Sequence, residues 1–271
     1  MRKNSIFWAV VLIVVGLLWL LDNLGAFRFL GVSVWGLIWP AVLILLGIWI
    51  LAGVGHGGRR IGVEQATVLL DGAARARIRM HHGAGRLSLQ AGAEGDRLLA
   101  GTFGGGLDYR TRQEGDQLVV DMRPRTRAWT CWGGPWAWGV PGSLDWTMIV
   151  NSEIPLELDL ETGANDTRLD LSELLVTDLR LKTGASATQI TLPAHAGHTR
   201  VRVESGAASV TIRVPEGVAA RIRAEGALAG TDVDTRRFPR VGGTYQSVEY
   251  ETAQNRADIR IEAAVGSVTV R

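Results

Sequence analysis

Five histidines and one cysteine are the residues of this 271-residue chain best suited to metal binding or nucleophilic chemistry. His81 and His82 are adjacent, and two residues separate His195 from His198, so two imidazole pairs are available to a metal such as zinc. No cysteine or carboxylate lies at the spacing of a zinc ribbon or a helical zinc motif, which favours histidines on turns and strand surfaces. Cys131 has no neighbouring base that would activate its thiol. We therefore predict no metal site and no cofactor, with a metal-binding module as the alternative.

The carboxylates and glycines also lack the spacing of a catalytic or nucleotide-binding motif. Asp159, Glu161 and Asp170 alternate with apolar residues, as on the exposed side of a strand, and this is weak evidence for a general acid and base. The triplet Gly104-Gly105-Gly106 is not followed by the Lys-Ser/Thr pair of a phosphate-binding loop. We predict that the protein is not an enzyme.

Residues 128–146 form an unusual segment, because five of the ten tryptophans lie there among glycines and prolines. These tryptophans are Trp129, Trp132, Trp136, Trp138 and Trp146. Arg123, Arg125 and Arg127 precede all five, so one interpretation is a loop that contacts the membrane interface or a partner, its arginines facing anionic headgroups. The other interpretation is a loop that folds over an open end of a β-structure and covers its apolar edge. The sequence leaves both open.

Charge is unevenly distributed along the chain. Residues 1–60 contain five basic side chains and one acidic one, whereas residues 61–271 contain 24 basic and 26 acidic side chains. The larger part is therefore slightly acidic, although the whole chain has a formal charge of +2. Affinity for nucleic acid depends on a concentrated basic surface, so nucleic acid is not an expected partner. The single cysteine also excludes an internal disulfide.

Two long apolar segments predict a transmembrane helical hairpin in residues 1–60. The spans cover residues 5–22 and 34–54 approximately, and the second meets the bilayer requirement of roughly 20 residues. Basic residues flank both outer ends of the hairpin, namely Arg2, Lys3, Arg59 and Arg60. The positive-inside rule then predicts that both ends, and the domain that follows, are cytoplasmic. A signal peptide is the alternative for the first segment, but no clear cleavage site follows it.

Apolar residues in 61–271 recur in pairs at positions i and i+2, from Leu158/Leu160 to Ile222/Ala224, with successive pairs 10 or 11 residues apart. A small turn recurs at every second interval, and its glycines are Gly83, Gly163, Gly184 and Gly206. Alternation with a period of two indicates strands, and glycine would permit a positive φ in each turn. A unit of about 21 residues cannot bury its own apolar side unless it stacks on its neighbours. We predict an all-β domain, a β-solenoid built as a single-stranded stack, with a β-sandwich as the alternative.

Both parts of the chain resemble known bacterial families. The segments GLLWLLDNLGAF and WPAVLILLGIWIL resemble the LiaI/LiaF-like transmembrane region. The repeats DLETGANDTRLDLSELLVTDLRLKTGASATQITLP and VESGAASVTIRVPEGVAARI resemble the LiaF-like cell-wall-active-antibiotics-response domain and the toast-rack adhesin-like domains. The resemblance implies a membrane-anchored β-solenoid in the bacterial cytoplasmic membrane. Characterised relatives regulate a sensor histidine kinase that responds to envelope stress, and no functional residue can be carried over from them.

These observations predict a non-enzymatic, multi-pass membrane protein that acts in cell-envelope stress sensing. Its expected partners are the lipid bilayer and a sensor histidine kinase or another membrane protein, and repeat stacks also favour self-association. The alternatives are a self-assembling scaffold or adhesin-like protein, and a ligand-binding module or enzyme.

Overall fold

The protein is described by a computed structural model over residues 63–125 and 144–271. These residues form thirteen β-strands and no helix, which confirms the all-β prediction. The strands are β1 (Val63–Leu69), β2 (Arg75–Ala93), β3 (Arg97–Gly104), β4 (Leu107–Glu114), β5 (Gln117–Pro124), β6 (Trp146–Asn151), β7 (Leu156–Asp170), β8 (Val176–Thr191), β9 (His198–Arg213), β10 (Ala219–Val233), β11 (Arg240–Val241), β12 (Thr244–Gln246) and β13 (Arg256–Val270).

The predicted transmembrane hairpin lies outside the described residues. Within the described residues, no helix is long and apolar enough to cross a membrane.

Six long strands form a solenoid-like stack, in the order β2-β7-β8-β9-β13-β10. Each pairs with the next in parallel and in register over nearly its whole length, unlike the strands of an antiparallel meander. Every predicted unit is one continuous strand of 15–19 residues with the recurrent small turn at its middle, rather than two separate short strands.

Each long strand turns a corner at its central glycine, as the burial pattern of β8 demonstrates. Leu179 and Leu181 are buried before the corner, and Thr188 and Ile190 are buried after it. The alternation shifts phase by one position because Gly184 and the alanine after it both face outward. We call the half before the corner the first limb and the half after it the second limb. Apolar side chains from both limbs form one continuous core, which supplies the main stabilisation of the stack.

The stack is extended differently at its two ends. At the β2 end, β5 pairs with the first limb of β2 and β6 with its second limb, so the two limbs acquire separate neighbours. At the other end, the last strand of the chain, β13, lies between β9 and β10 instead of following β10. The outer edge of β10 pairs with β12 only at Arg221 and Ile222. The remainder of that edge has no strand partner among the described residues.

Candidate functional site

The corner glycines lie against one another in a column across the stack. A Cβ on Gly163 would overlap the carbonyl oxygen of Gly83, and a Cβ on Gly184 or Gly206 would lie 3.0 or 3.1 Å from the carbonyl oxygen of the glycine before it. None of these four glycines has a positive φ, so the left-handed turn expected from the sequence is wrong. Close approach of neighbouring backbones is what favours glycine at positions 163, 184 and 206, whereas a Cβ on Gly83 would meet no atom within 4 Å.

Outward side chains of the first limb form a row of arginines and, beside it, a mainly acidic row. The arginine row crosses β8, β9, β13 and β10, and it consists of Arg180, Arg202, Arg260 and Arg223. Two residues closer to the corner, the same strands carry Lys182, Glu204, Glu262 and Glu225. Because neighbouring strands are about 4.8 Å apart, the members of each row are direct cross-strand neighbours, and like charges in that position are destabilising.

A depression of about 390 Å³ lies over the arginine row. Arg200 and Arg221, two residues further from the corner, complete a lining of six arginines that we call the arginine depression. Two aspartates, Asp178 and Asp258, also line it. Outside the lining, Glu251 pairs with Arg221 and Glu262 pairs with Arg260. Asp178 accepts a hydrogen bond of 3.1 Å from Nε of Arg180.

Three of the six arginines form no ion pair within the described residues, although Arg200 lies in register between Asp178 and Asp258. Arg200, Arg202 and Arg223 are exposed, and among the described residues none of them has a carboxylate within 4.0 Å. By contrast, Nε of Arg260 lies 3.1 Å from Glu262. The free positive charge is therefore concentrated on β9 and β10.

A network of hydrogen bonds holds Asp258 at the side of the depression. The Tyr250 hydroxyl donates a 2.6 Å hydrogen bond to Oδ1 of Asp258, and Nε2 of His198 lies 2.8 Å from Oδ2. Partial burial raises the pKa of Asp258, but these two contacts and the Arg221 charge outweigh it, so the pKa lies below its ordinary value. Burial and the bond to Asp258 raise the pKa of Tyr250 to about 12. Asp258 is therefore a fixed negative charge. The guanidinium carbon of Arg221 lies 4.1 Å from the centroid of the Tyr250 ring.

The second limb presents an uncharged outward surface on the same strands. We call it the neutral face, and on β8, β9 and β13 it consists of Ala185, Ala187, Gln189, Ala207, Ser209, Thr211, Val265, Ser267 and Thr269. The hydroxyls of Ser209 and Ser267 lie 3.0 Å apart across the strands. No charge has to be desolvated when such a surface is covered, which suits it to a protein contact.

Of the arginines predicted to face headgroups, Arg123 and Arg125 lie within the described residues. Arg125 is exposed but pairs with Glu64 at 2.9 Å, so its charge is neutralised within the domain. Hydrogen bonds from the Leu107 amide and from Arg125 hold the pKa of Glu64 below its usual value. Arg123 is exposed and lies opposite Asp108 on β4. The other predicted contact residues lie outside the described residues, namely Arg127, Trp129, Trp132, Trp136 and Trp138.

Trp146 belongs to the core rather than to a loop. It is the first residue of β6, is fully buried, and meets the Phe103 ring edge-on with centroids 5.1 Å apart. Its Nε1 donates to the carbonyl of Gly104 at 3.1 Å. The His82 ring lies 5.1 Å from it, with Nε2 of His82 2.8 Å from the Leu144 carbonyl. Burial lowers the pKa of His82, which is therefore a neutral packing residue.

The structure does not bring the predicted histidine pairs together. His81 pairs with Glu161 on β7 at 2.8 Å, and His198 pairs with Asp258. The two intervening strands β7 and β8 separate β2 from β9. Within the described residues, no group of three or more histidine, cysteine or carboxylate side chains is placed to hold a metal ion.

The arginine depression was not predicted, although the sequence contains a signal for it. In each of the four repeats that form β8, β9, β10 and β13, an arginine stands between the two residues of an apolar pair, as in Leu179-Arg180-Leu181 and Val201-Arg202-Val203. Stacking such repeats aligns the arginines. The contribution of Arg260 depended on the insertion of β13, which the repeat spacing does not reveal.

Comparisons with known families match both parts of the chain. The family described as N-terminal domain of toast_rack, DUF2154, matches residues 57–213. The LiaI-LiaF-like transmembrane region matches residues 6–51, so the protein is membrane-anchored. Among curated proteins, none matches the chain.

Two solved structures are similar to the chain. A putative cell adhesion protein from Clostridium sporogenes ATCC 15579 has a TM-score of 0.68 at 20% identity, covering 77% of this chain and 98% of its own. A putative adhesin from Bacteroides fragilis NCTC 9343 has a TM-score of 0.30 at 7% identity, covering 78% of this chain and 97% of its own. The first of these supports the fold of the β-domain.

Proposed function

Since the chain belongs to the family of the N-terminal toast-rack domain, we propose that it is a non-enzymatic regulatory or scaffolding protein of cell-envelope stress sensing. In this proposal the β-domain lies on the cytoplasmic side of the membrane and contacts a sensor histidine kinase or another membrane protein. The membrane match at residues 6–51 supports the location of such contacts at the bilayer.

The observation that carries this proposal is the neutral face. Its residues lie on three parallel strands that are paired over their full length, so the surface is rigid before a partner arrives and little ordering entropy is lost on binding. Small side chains at Ala187, Ala207 and Ser209 keep it flat. Flat, rigid and uncharged surfaces suit a protein partner better than a small substrate, which needs a concave site.

Site-specific photocrosslinking in native membranes tests the proposal. A photoreactive amino acid at Ser209 on the neutral face is expected to capture a sensor kinase, identified by mass spectrometry. The same group at Arg112, which is exposed on β4 at the other end of the domain, is the matched control. Capture of no membrane protein at Ser209, or equal capture at both positions, would contradict the proposal.

A substitution on the neutral face tests regulation separately from proximity. With the photoreactive amino acid kept at Ser209, Ser267→Arg introduces on the neighbouring strand a charge that must be desolvated in the contact. We therefore expect it to abolish kinase crosslinking and to alter the output of a stress-responsive promoter. An unchanged promoter response despite lost crosslinking would argue against a regulatory role.

The free edge of β10 favours self-assembly as a second candidate function. An unpaired strand edge is a template for pairing with another chain, and only Arg221 and Ile222 of this edge are paired by β12. Gly230 lies on this strand, is exposed, and has open space where a Cβ would stand. Gly230→Lys should therefore disrupt edge pairing without disturbing the fold, and light scattering of the full chain in detergent would then report a smaller assembly than the wild type. Equal masses would remove this candidate.

A further inference from the structure

The positive charges of the arginine depression require an explanation that the fold does not supply. Four arginines in adjacent cross-strand positions repel one another, and a sheet built only for stability would alternate the signs. The row two residues further from the corner does alternate, since Asp178, Arg200, Asp258 and Arg221 are cross-strand neighbours in that order on β8, β9, β13 and β10. Arg180 and Arg260 have carboxylate partners, but Arg202 and Arg223 have none among the described residues. Repulsion left in this way within a rigid stack is expected where a ligand provides the missing negative charge.

The identity and geometry of the cations favour a phosphate. All six are arginines, whose planar guanidinium groups donate paired hydrogen bonds that match phosphate oxygens. Arg202, Arg260 and Arg223 lie on three adjacent strands, so the strand spacing makes the row that they form about 10 Å long. Arg221 is held from behind by Gln246 at 2.9 Å and by the Tyr250 ring, so part of the lining is preorganised.

The membrane is the nearest abundant source of phosphate esters. Eleven residues, 52–62, separate the transmembrane match from β1, and they reach at most about 40 Å when fully extended. The β-domain is therefore tethered to the membrane-matching segment by a short linker. Anionic lipid headgroups attract clustered basic residues near the membrane surface.

We propose that the arginine depression binds the phosphate of an anionic phospholipid headgroup, with Arg200, Arg202 and Arg223 as the contacting residues. This site is separate from the neutral face, which lies on the second limb. Binding would hold the first limb against the bilayer and leave the neutral face available to a protein. The inference does not depend on which protein the neutral face contacts.

A vesicle-binding assay on the full chain tests the proposal. The protein is placed in nanodiscs of phosphatidylcholine alone and mixed with larger vesicles of phosphatidylcholine, with or without 30% phosphatidylglycerol. The wild type is expected to co-sediment only with the anionic vesicles, and added salt should weaken binding. The triple variant R200Q/R202Q/R223Q is expected to lose at least tenfold in affinity.

A matched control separates the site from net charge. Arg97, Arg110 and Arg213 are also exposed, and no ion pair of theirs is found among the described residues. The variant R97Q/R110Q/R213Q loses the same charge and is expected to bind within twofold of the wild type. Equal losses in both variants, or no binding by the wild type, would overturn the proposal. Far-UV circular dichroism of each variant checks that the fold is retained.

Two further arms distinguish other anions. Inorganic phosphate and soluble glycerol phosphate are titrated against the wild type, and binding of these at micromolar concentration without vesicle binding would assign the site to a soluble phosphate instead of a lipid. Polyglutamate is the probe for an acidic protein. If it competes through the same three arginines while anionic vesicles do not bind, the lipid assignment is overturned.

Discussion

Alanine substitution along the glycine column measures how closely the strands approach at the corner. At Gly163 a Cβ would overlap the carbonyl oxygen of Gly83, and both atoms belong to paired strands that cannot separate without losing ladder hydrogen bonds. Overpacking of this kind costs about 1–3 kcal/mol, and the reduced entropy of the unfolded chain returns about 0.4–1 kcal/mol. Because the overlap involves backbone on both sides, we place the cost at the upper end. Gly163→Ala should therefore lower the free energy of unfolding by about 2 kcal/mol.

The other glycines of the column provide graded controls. A Cβ at Gly184 or Gly206 would be 3.0 or 3.1 Å from the neighbouring oxygen, so a small shift suffices and stability should stay within about 1 kcal/mol of the wild type. A Cβ at Gly83 would meet no atom within 4 Å, so Gly83→Ala should stabilise by about 0.4–1 kcal/mol.

Thermal unfolding of the full chain in detergent, followed by the far-UV β-sheet signal, gives the order of the variants. For a domain of this size, 2 kcal/mol corresponds to about 4–8 °C in Tm. If Gly163→Ala unfolds at the same temperature as Gly83→Ala, the close-approach explanation of the column is refuted. A loss at Gly83 equal to that at Gly163 would instead indicate that glycine is needed for its backbone conformation.

Three further predictions concern the ends of the stack, its buried histidine and its orientation. Deletion of residues 256–271 removes the strand between β9 and β10, so we expect rapid degradation by added protease under conditions where the full chain is resistant. Burial lowers the pKa of His82, so the unfolded chain takes up a proton first as the pH falls below about 6.5 and stability is lost there; His82→Phe should reduce the difference in Tm between pH 7 and pH 5. Fusions at Arg271 report topology, and a cytoplasmic domain requires inactive alkaline phosphatase and fluorescent GFP. Active phosphatase would place the domain outside and favour an adhesive role.

The sequence predicted what depends on local alternation and could not predict what depends on long-range order. The apolar pairs of β7 and β8 identified buried positions such as Leu158 and Ile190, because alternate side chains of a strand point to the same face and only one face is buried. The role of Gly184 was misassigned, since close approach to a neighbouring carbonyl involves residues about 20 positions away in the chain. Trp146 was placed in a loop because its neighbours are glycine- and proline-rich, whereas packing against Phe103 decides its position. The candidate contact residues predicted from the sequence came from the tryptophan-rich segment, whose composition is unusual. The arginine depression instead arises from the ordinary repeats, and only when these are stacked.

The insertion of β13 is what completes the arginine depression. The toast-rack match ends at Arg213, the last residue of β9, so Arg221, Arg223 and Arg260 lie in the part of the chain beyond it. If β10 followed β9 directly, Arg223 would pair with Arg202 and the row would be one arginine shorter. With β13 between them, Arg260 joins the row, and Asp258 is brought to its side together with His198 and Tyr250. The depression therefore forms only when the C-terminal strand has docked, and a chain that stops short of β13 should lose both the fold of this end and the phosphate site.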